Sequence, residues 1–551
     1  MKKILKVLAL IFMLFSTFGS ALKAYAVPAD RPVSGDLIIH KYLGDKTDQV
    51  NDGTEVTIPS DRELLSGVKF DVYEIEAPAD GTTPYPPPGN LGADNADKWT
   101  YTRNLQELTV TGQGDHAGKE YTYTLGTAVS QSTTNGIATF ADLSGYYYVE
   151  EDVAGSNPTK PDLANPGNTV PVVIANGMDP FIVAVPMWNQ AGDGWLEDVH
   201  VYPKNQNLEP EKAPEIPFVE IGEEFDWFIT LKLPGNFTST NFSKFEIWDQ
   251  LDYRLDYISL VVEGGIRDTS NIWTEKVTLT PVDDYTITTT TATPTVGSKV
   301  TVALTATGIN KLGGNTDASH VRIKLKTKSN QYVEASQVTE NDIPNKATVE
   351  FTNKDGNGSE EIPEVEVKYG TISVRKHDEE GNTLTGSEFQ LADTEANATA
   401  GNYLRVSMTS ENGIADILRP GDTGYDSAKP WIIRPHAAST ELGLKDEKYY
   451  SQFFRGLKIG QVDVNDPSVF IFNSYWLVET KAPANFNMLD NPIKIVYDED
   501  TTDYYIEQVV INKRGFTLPE TGSMVAIILT VLGIIFIGFS IIMSINKRKK
   551  A

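Results

Sequence analysis

Apolar and polar residues alternate with a period of two along most of this chain, in short runs broken by Gly, Pro, Asn and Asp. Leu37-Ile38-Ile39-His40-Lys41, Phe245-Glu246-Ile247-Trp248-Asp249 and Tyr475-Trp476-Leu477-Val478-Glu479 are examples. Thr-rich stretches such as Tyr285 to Thr293 and Val300 to Thr307 continue the pattern. Successive strand side chains point to opposite faces, so this period predicts half-buried β-strands. No sustained helical apolar period occurs between the two ends, which predicts an all-β architecture. About 490 residues lie between those ends, enough for three domains of ordinary size.

The ends break the pattern. Lys2, Lys3 and Lys6 precede an apolar run from Val7 to Phe15, and Ala24-Tyr25-Ala26 supplies small residues at a cleavage site. That order reads as a secretion signal over residues 1–26. Met524 to Ile545 carries no charge and is long enough to cross a bilayer. Lys547, Arg548, Lys549 and Lys550 follow it and hold that end in the cytoplasm.

Composition narrows the chemistry. The net charge of −28 argues against nucleic acid, because phosphate binding needs basic clusters. There is no cysteine, so neither disulfides nor thiolate metal sites are available to a chain that leaves the cell. Stability must come from core size or from another covalent link. The six histidines show no metal-ligand spacing, and no glycine loop cradles phosphate. No cofactor and no metal site are expected, and no Ser/His/Asp arrangement suggests a hydrolase.

Strand parity singles out charged and amide residues that share a face with apolar ones. Lys376 aligns with Ile372 and Val374, Glu479 with Tyr475 and Leu477, and Asn512 with Val510. In the same way Lys41 aligns with Leu37 and Ile39, and Glu150 with Tyr146 and Tyr148; Glu151 is its competitor. Asp249 aligns with Phe245 and Ile247, and Asn345 with Ala347, Val349 and Phe351. Lys212 precedes the first convincing strand of that region, with Lys232 and Asn353 as rival choices. Such groups are costly in a core unless they interact. Parity also divides Val199, Val201 and Pro203 from His200, Tyr202 and Lys204, so Lys204 should project outward and Asn205 inward.

Leu518-Pro519-Glu520-Thr521-Gly522, followed by the apolar span and basic tail, resembles the sorting signal of Gram-positive surface proteins. In such proteins sortase cuts between threonine and glycine and holds the threonine as a thioester. Trp195-Leu196-Glu197-Asp198-Val199-His200-Val201-Tyr202-Pro203-Lys204 resembles the pilin motif of shaft subunits. Leu65-Ser66-Gly67-Val68-Lys69-Phe70 and Leu384-Thr385-Gly386-Ser387-Glu388-Phe389 mark two similar regions, which look like B-type immunoglobulin-like domains of collagen adhesins. Tyr475 to Pro483 resembles their E-box, although Asn485 and Phe486 stand where Gly and Tyr are usual. The middle region is similar to the second domain of shaft pilins.

The resemblance implies tandem immunoglobulin-like (collagen-adhesin A/B-type) β-sandwiches. The expected bounds are 27–205, 206–368 and 369–516, with the sorting segment at 517–551. It implies a major pilin, polymerised through Thr521 of one subunit and Lys204 of the next. It also implies spontaneous Lys–Asn isopeptide bonds: Lys376–Asn512 promoted by Glu479, Lys41–Asn205 by Glu150, and Lys212–Asn345 by Asp249. The chain is then a sortase substrate and not an enzyme. Implied partners are a class C-type pilin sortase, a housekeeping sortase, identical subunits, minor tip and basal pilins, and peptidoglycan; a host ligand is left open. The implied location is a cell-wall-anchored surface fimbrium. The alternative is a non-polymerised wall-anchored adhesin. Acidic loops at Asp378 to Asn382 and Asp463 to Asp466 read as turns ahead of calcium sites.

Overall fold

The computed structural model describes residues 30–44, 52–58, 62–89, 98–189, 192, 194–268, 270, 272–315, 317–335, 341–411, 413–435, 443–445, 447–464, 466, 469–515 and 523–549. The expected secretion signal and the pentapeptide Leu518 to Gly522, with Thr521, lie outside them.

The described chain is a series of β-sandwiches, as alternation and turn spacing require. In the first, a sheet of Asp198–Val201, Gly35–His40 and Ile137–Leu143 faces a sheet of Phe181–Val185, Gly145–Glu151, Lys69–Glu74 and Val129–Ser132. Leu37, Ile39, Phe70, Val149, Val183, Val199 and Val201 fill the space between them. A further three-stranded sheet, Trp99–Asn104, Glu107–Gly112 and Glu120–Thr124, belongs to a second core on the other face of the four-stranded sheet. That core is built from Tyr73, Trp99, Tyr123 and Tyr148.

Two five-stranded sheets form the middle sandwich. One runs from Glu211–Pro214 at its edge through Glu224–Lys232 and His320–Ser329. The other contains Lys299–Leu304, Phe242–Gln250, Asp342–Asn353 and Gly356–Lys368. The Val300 to Thr307 alternation does not continue as one strand. It ends at Leu304, and a helix Ala306–Gly313 begins, because the Thr305 side chain accepts the Gly308 N–H and caps it. Ile309 and Leu312 on that helix enter the core. With only two turns, the helix is too short for its period to stand out in the sequence.

The last sandwich sets Phe454–Leu457, Gly370–Asp378 and Tyr505–Asn512 against a larger sheet containing Glu388–Ala392 and Ser474–Lys481. Its core is continuous with the middle one through Phe218, Val219, Ile221, Tyr369, Leu457 and Ile459. Arg419 donates twice to the Glu220 carboxylate at 2.8 Å across this junction, and Lys458 pairs with Glu223. A helix Ser523–Arg548 then leaves the sandwiches, and its Ile527–Arg548 portion is apolar enough to span a membrane.

Candidate functional site

In the last sandwich Gly370–Asp378 and Tyr505–Asn512 run parallel, with Lys376 opposite Val510 and Asp378 opposite Asn512. Lys376 and Asn512 are therefore offset by one strand repeat and share a face. Both are fully buried. Glu479 reaches them from the facing sheet: Asn512 Nδ2 donates to its two oxygens at 2.8 and 3.0 Å. The Leu489 N–H also donates to Glu479, at 2.9 Å. Lys376 Nζ donates to the Val510 carbonyl at 3.2 Å. Burial pulls the Lys376 amine below its ordinary pKa, while the nearby Glu479 charge pulls the other way.

The first sandwich repeats this arrangement. Lys204–Asn205 runs parallel to Tyr42–Leu43, with Asn205 opposite Leu43, so Lys41 and Asn205 have the same two-residue offset. The acid that meets them is Glu151, in place of the expected Glu150. Lys41 Nζ is 2.8 Å from Glu151 Oε2, and Asn205 Nδ2 donates to Oε1 at 2.5 Å. Lys41 lies 5.5 Å from the Phe70 ring centre, fully buried, and desolvation lowers its pKa despite Glu151.

Glu150 does share a face with Tyr146 and Tyr148, but that face belongs to the second core. There it accepts from Arg103 at 2.7 and 2.9 Å and from Tyr148 Oη at 3.0 Å. Both faces of this sheet are covered, so an apolar neighbour on parity alone could not distinguish them. Aliphatic Val149, matching aliphatic Leu37 and Ile39, was the available signal.

The middle sandwich uses a different arrangement. Lys212 comes from the edge strand of one sheet, while Asp249 and Asn345 sit on neighbouring strands of the other, where Asp249 pairs with Ala347. Lys212 Nζ lies 2.6 Å from Asp249 Oδ2. Desolvation drives the pair toward neutrality from both sides, lowering Lys212 and raising Asp249. The Asn345 amide is near enough to Asp249 to restrain that rise, yet its nitrogen and oxygen make no well-formed hydrogen bond. The rivals lie elsewhere: Lys232 pairs with Glu209 at 3.0 Å, and Asn353 donates to the Ala175 carbonyl at 2.7 Å.

One feature unites the three clusters. Asn205, Asn345 and Asn512 each have a buried side-chain oxygen that accepts no hydrogen bond. A buried unsatisfied carbonyl is expensive, and an amide carbon beside a neutral amine is an electrophile beside a nucleophile.

Lys204 adjoins Asn205 but is only half buried, whereas Asn205 is fully buried. The Lys204 amine lies 5.6 Å from the Tyr42 ring centre. Further back on the same strand face, His40 stacks on Tyr202 at 4.6 Å and bonds His200 at 2.9 Å. Tyr202 Oη accepts the Val56 N–H at 2.6 Å, fixing the face that leads to Lys204. Trp195 packs edge-on against Trp188 at 5.1 Å. The Asp378 side chain accepts its own loop's Glu380 and Asn382 N–H groups, as a turn does.

Comparison with known proteins places these centres in context. The chain is 25% identical over 553 residues to fimbrial subunit type 1 of Actinomyces viscosus, covering 94% of this chain and 92% of that one. Fimbrial subunit type 2 of Actinomyces naeslundii is 25% identical over 550 residues, covering 94% and 90%. The full-length major pilin SpaD of Corynebacterium diphtheriae aligns with a TM-score of 0.47 and 22% identity, over 88% of this chain and 98% of that one. Residues 33–206 match the model of the N-terminal domain, D1, of Gram-positive pilin subunits.

Proposed function

We propose that this chain is the shaft subunit of a covalent surface pilus, in which sortase joins Thr521 of one subunit to Lys204 of the next. The observation that supports this reading is the difference between neighbours on one strand: Lys204 is only half buried and Asn205 is fully buried. An amine that is only partly covered suits an acyl donor presented by a large enzyme. The Lys204 amine attacks the thioester carbonyl, the enzyme thiolate leaves, and an isopeptide joins the subunits. The helix Ser523–Arg548 holds the precursor in the membrane until the bond before Gly522 is cut. The subunit is a substrate of this reaction and turns nothing over itself.

The buried clusters supply internal isopeptides in place of disulfides. The neutral lysine amine attacks the asparagine side-chain carbon, and the C–N bond to the amide nitrogen breaks. The acid relays a proton from the amine to that nitrogen, which leaves as ammonia. Glu151, Asp249 and Glu479 take the acid's role in the three sandwiches.

The bonds differ in what they tie together. Lys376–Asn512 and Lys41–Asn205 each join two parallel neighbouring strands. Tension entering the last sandwich at Gly370 and leaving beyond Asn512 would shear that ladder, and the bond carries the load instead. Lys212–Asn345 staples one sheet to the other.

The test is tryptic mass spectrometry of assembled fibres extracted from cell walls. It should find Thr521 joined to Lys204, and boiled extracts should show a ladder of multimers that Lys204→Ala abolishes. A single monomeric species in wild-type walls would overturn polymerisation and leave a wall-anchored adhesin.

A further inference from the structure

The first cross-linking centre is braced in part by the middle sandwich. Ala175–Met178 lies against it and is fixed on three sides. Gln206, the neighbour of Asn205, exchanges backbone hydrogen bonds with Asn176, at 3.0 Å from its N–H and 3.1 Å to its carbonyl. The Met178 N–H donates to Glu151 Oε2 at 3.1 Å, the same oxygen that meets Lys41. The third side is held by the middle sandwich, through the turn between Asp342–Asn353 and Gly356–Lys368.

That turn makes two contacts to this segment. Asp355 Oδ2 accepts the Gly177 N–H at 3.1 Å, and Asn353 Nδ2 donates to the Ala175 carbonyl at 2.7 Å. Asn353 Oδ1 in turn accepts the Asp355 N–H at 2.9 Å, so the two side chains are set as a unit. The approach is close: a Cβ on Gly177 would sit 2.9 Å from Val153 Cγ2 and 3.4 Å from Asp355 Oδ2.

We propose that Asp355 is a positioning residue for the Lys41–Asn205 reaction, so that the first sandwich cross-links only once the middle sandwich has docked on it. Asp355 acts through Gly177 and Met178 on Glu151, and touches none of the reacting atoms. Its carboxylate is also near enough to Lys41 to favour the charged amine. Charge and position therefore have opposite consequences for a reaction that needs the neutral amine, and variants can separate them. This inference rests on the internal-bond reading above.

The experiment is cell-free synthesis of the whole ectodomain, quenched at intervals and mapped by tryptic mass spectrometry. In the wild type the Lys41–Asn205 peptide must appear; if it never does, the internal-bond reading fails in this sandwich before Asp355 is at issue. Asp355→Ala should slow its appearance by about a hundredfold, the scale of a misplacement of about 1 Å. The Lys212–Asn345 and Lys376–Asn512 peptides should form on schedule and report that the chain has folded. Asp355→Asn keeps an oxygen for Gly177 and should react at least as fast as the wild type. Wild-type kinetics in Asp355→Ala, or equal slowing in both variants, would overturn the proposal.

Discussion

Glu151 Oε2 lies 2.8 Å from Lys41 Nζ, while Glu150, one residue earlier, is turned to Arg103 on the opposite face of the sheet. Glu151→Gln should therefore leave the first sandwich without its cross-link. The secreted ectodomain would then keep the mass of the one ammonia that the proposed cross-link releases. Glu150→Gln should cross-link normally. Intact-mass measurement of the two variants checks this directly, and the reverse pattern would restore Glu150 as the acid.

Asn512→Ala removes the proposed electrophile in the last sandwich and should leave Lys376 and Glu479 buried without a bond. By the loop-entropy relation for cross-links, closing a loop of about 135 residues stabilises by roughly 5 kcal/mol. The variant should gain one ammonia relative to the change expected from the substitution. Its last sandwich should melt earlier in calorimetry and yield to trypsin under mild denaturant. Unchanged melting would show that the non-covalent core alone holds this sandwich.

The junction between the middle and last sandwiches should respond to pH through Glu334. Its carboxyl sits in low-polarity surroundings that push it from 4.5 up to about 7, against the opposing pull of Tyr449, Ser451 and Arg455. Tyr449 Oη donates to it at 2.6 Å. A raised folded-state value means that the folded chain keeps its proton where the unfolded chain has lost it. Stability contributed here falls as pH rises between those two values. Melting temperatures of the ectodomain across that window should decline, and Glu334→Gln should flatten the decline.

Gly370 begins the first strand of the last sandwich where a Cβ would come 2.5 Å from Tyr497 Oη and 2.6 Å from its ring. Tyr497 is fully buried and cannot swing away. Gly370→Ala should destabilise this sandwich by about 1–3 kcal/mol, the usual cost of overpacking. Denaturant unfolding measures it, best in the Asn512→Ala background where no covalent tie masks the loss.

The period of two was enough to predict strands, inward lysines and an outward Lys204, because side-chain direction along a strand is a local property of the backbone. The all-β class and the inward faces of Lys376, Glu479, Asn512, Asp249 and Asn345 followed from it. Lys212 was singled out only by its place before a strand, and the grouping into Lys–acid–Asn sets came from the family resemblance. The helix Ala306–Gly313 did not follow from the period, since two turns carry too little periodic signal.

Parity tells which face a residue takes, and only tertiary structure tells what that face meets. Glu150 and Glu151 differ by one position, and the choice between them depended on a second core covering the tyrosine face. The cross-sheet placement of Lys212 and the seating of Asp355 beside another sandwich's centre are likewise matters of packing between distant segments. No local pattern encodes such distances, because they arise only when sheets close over one another.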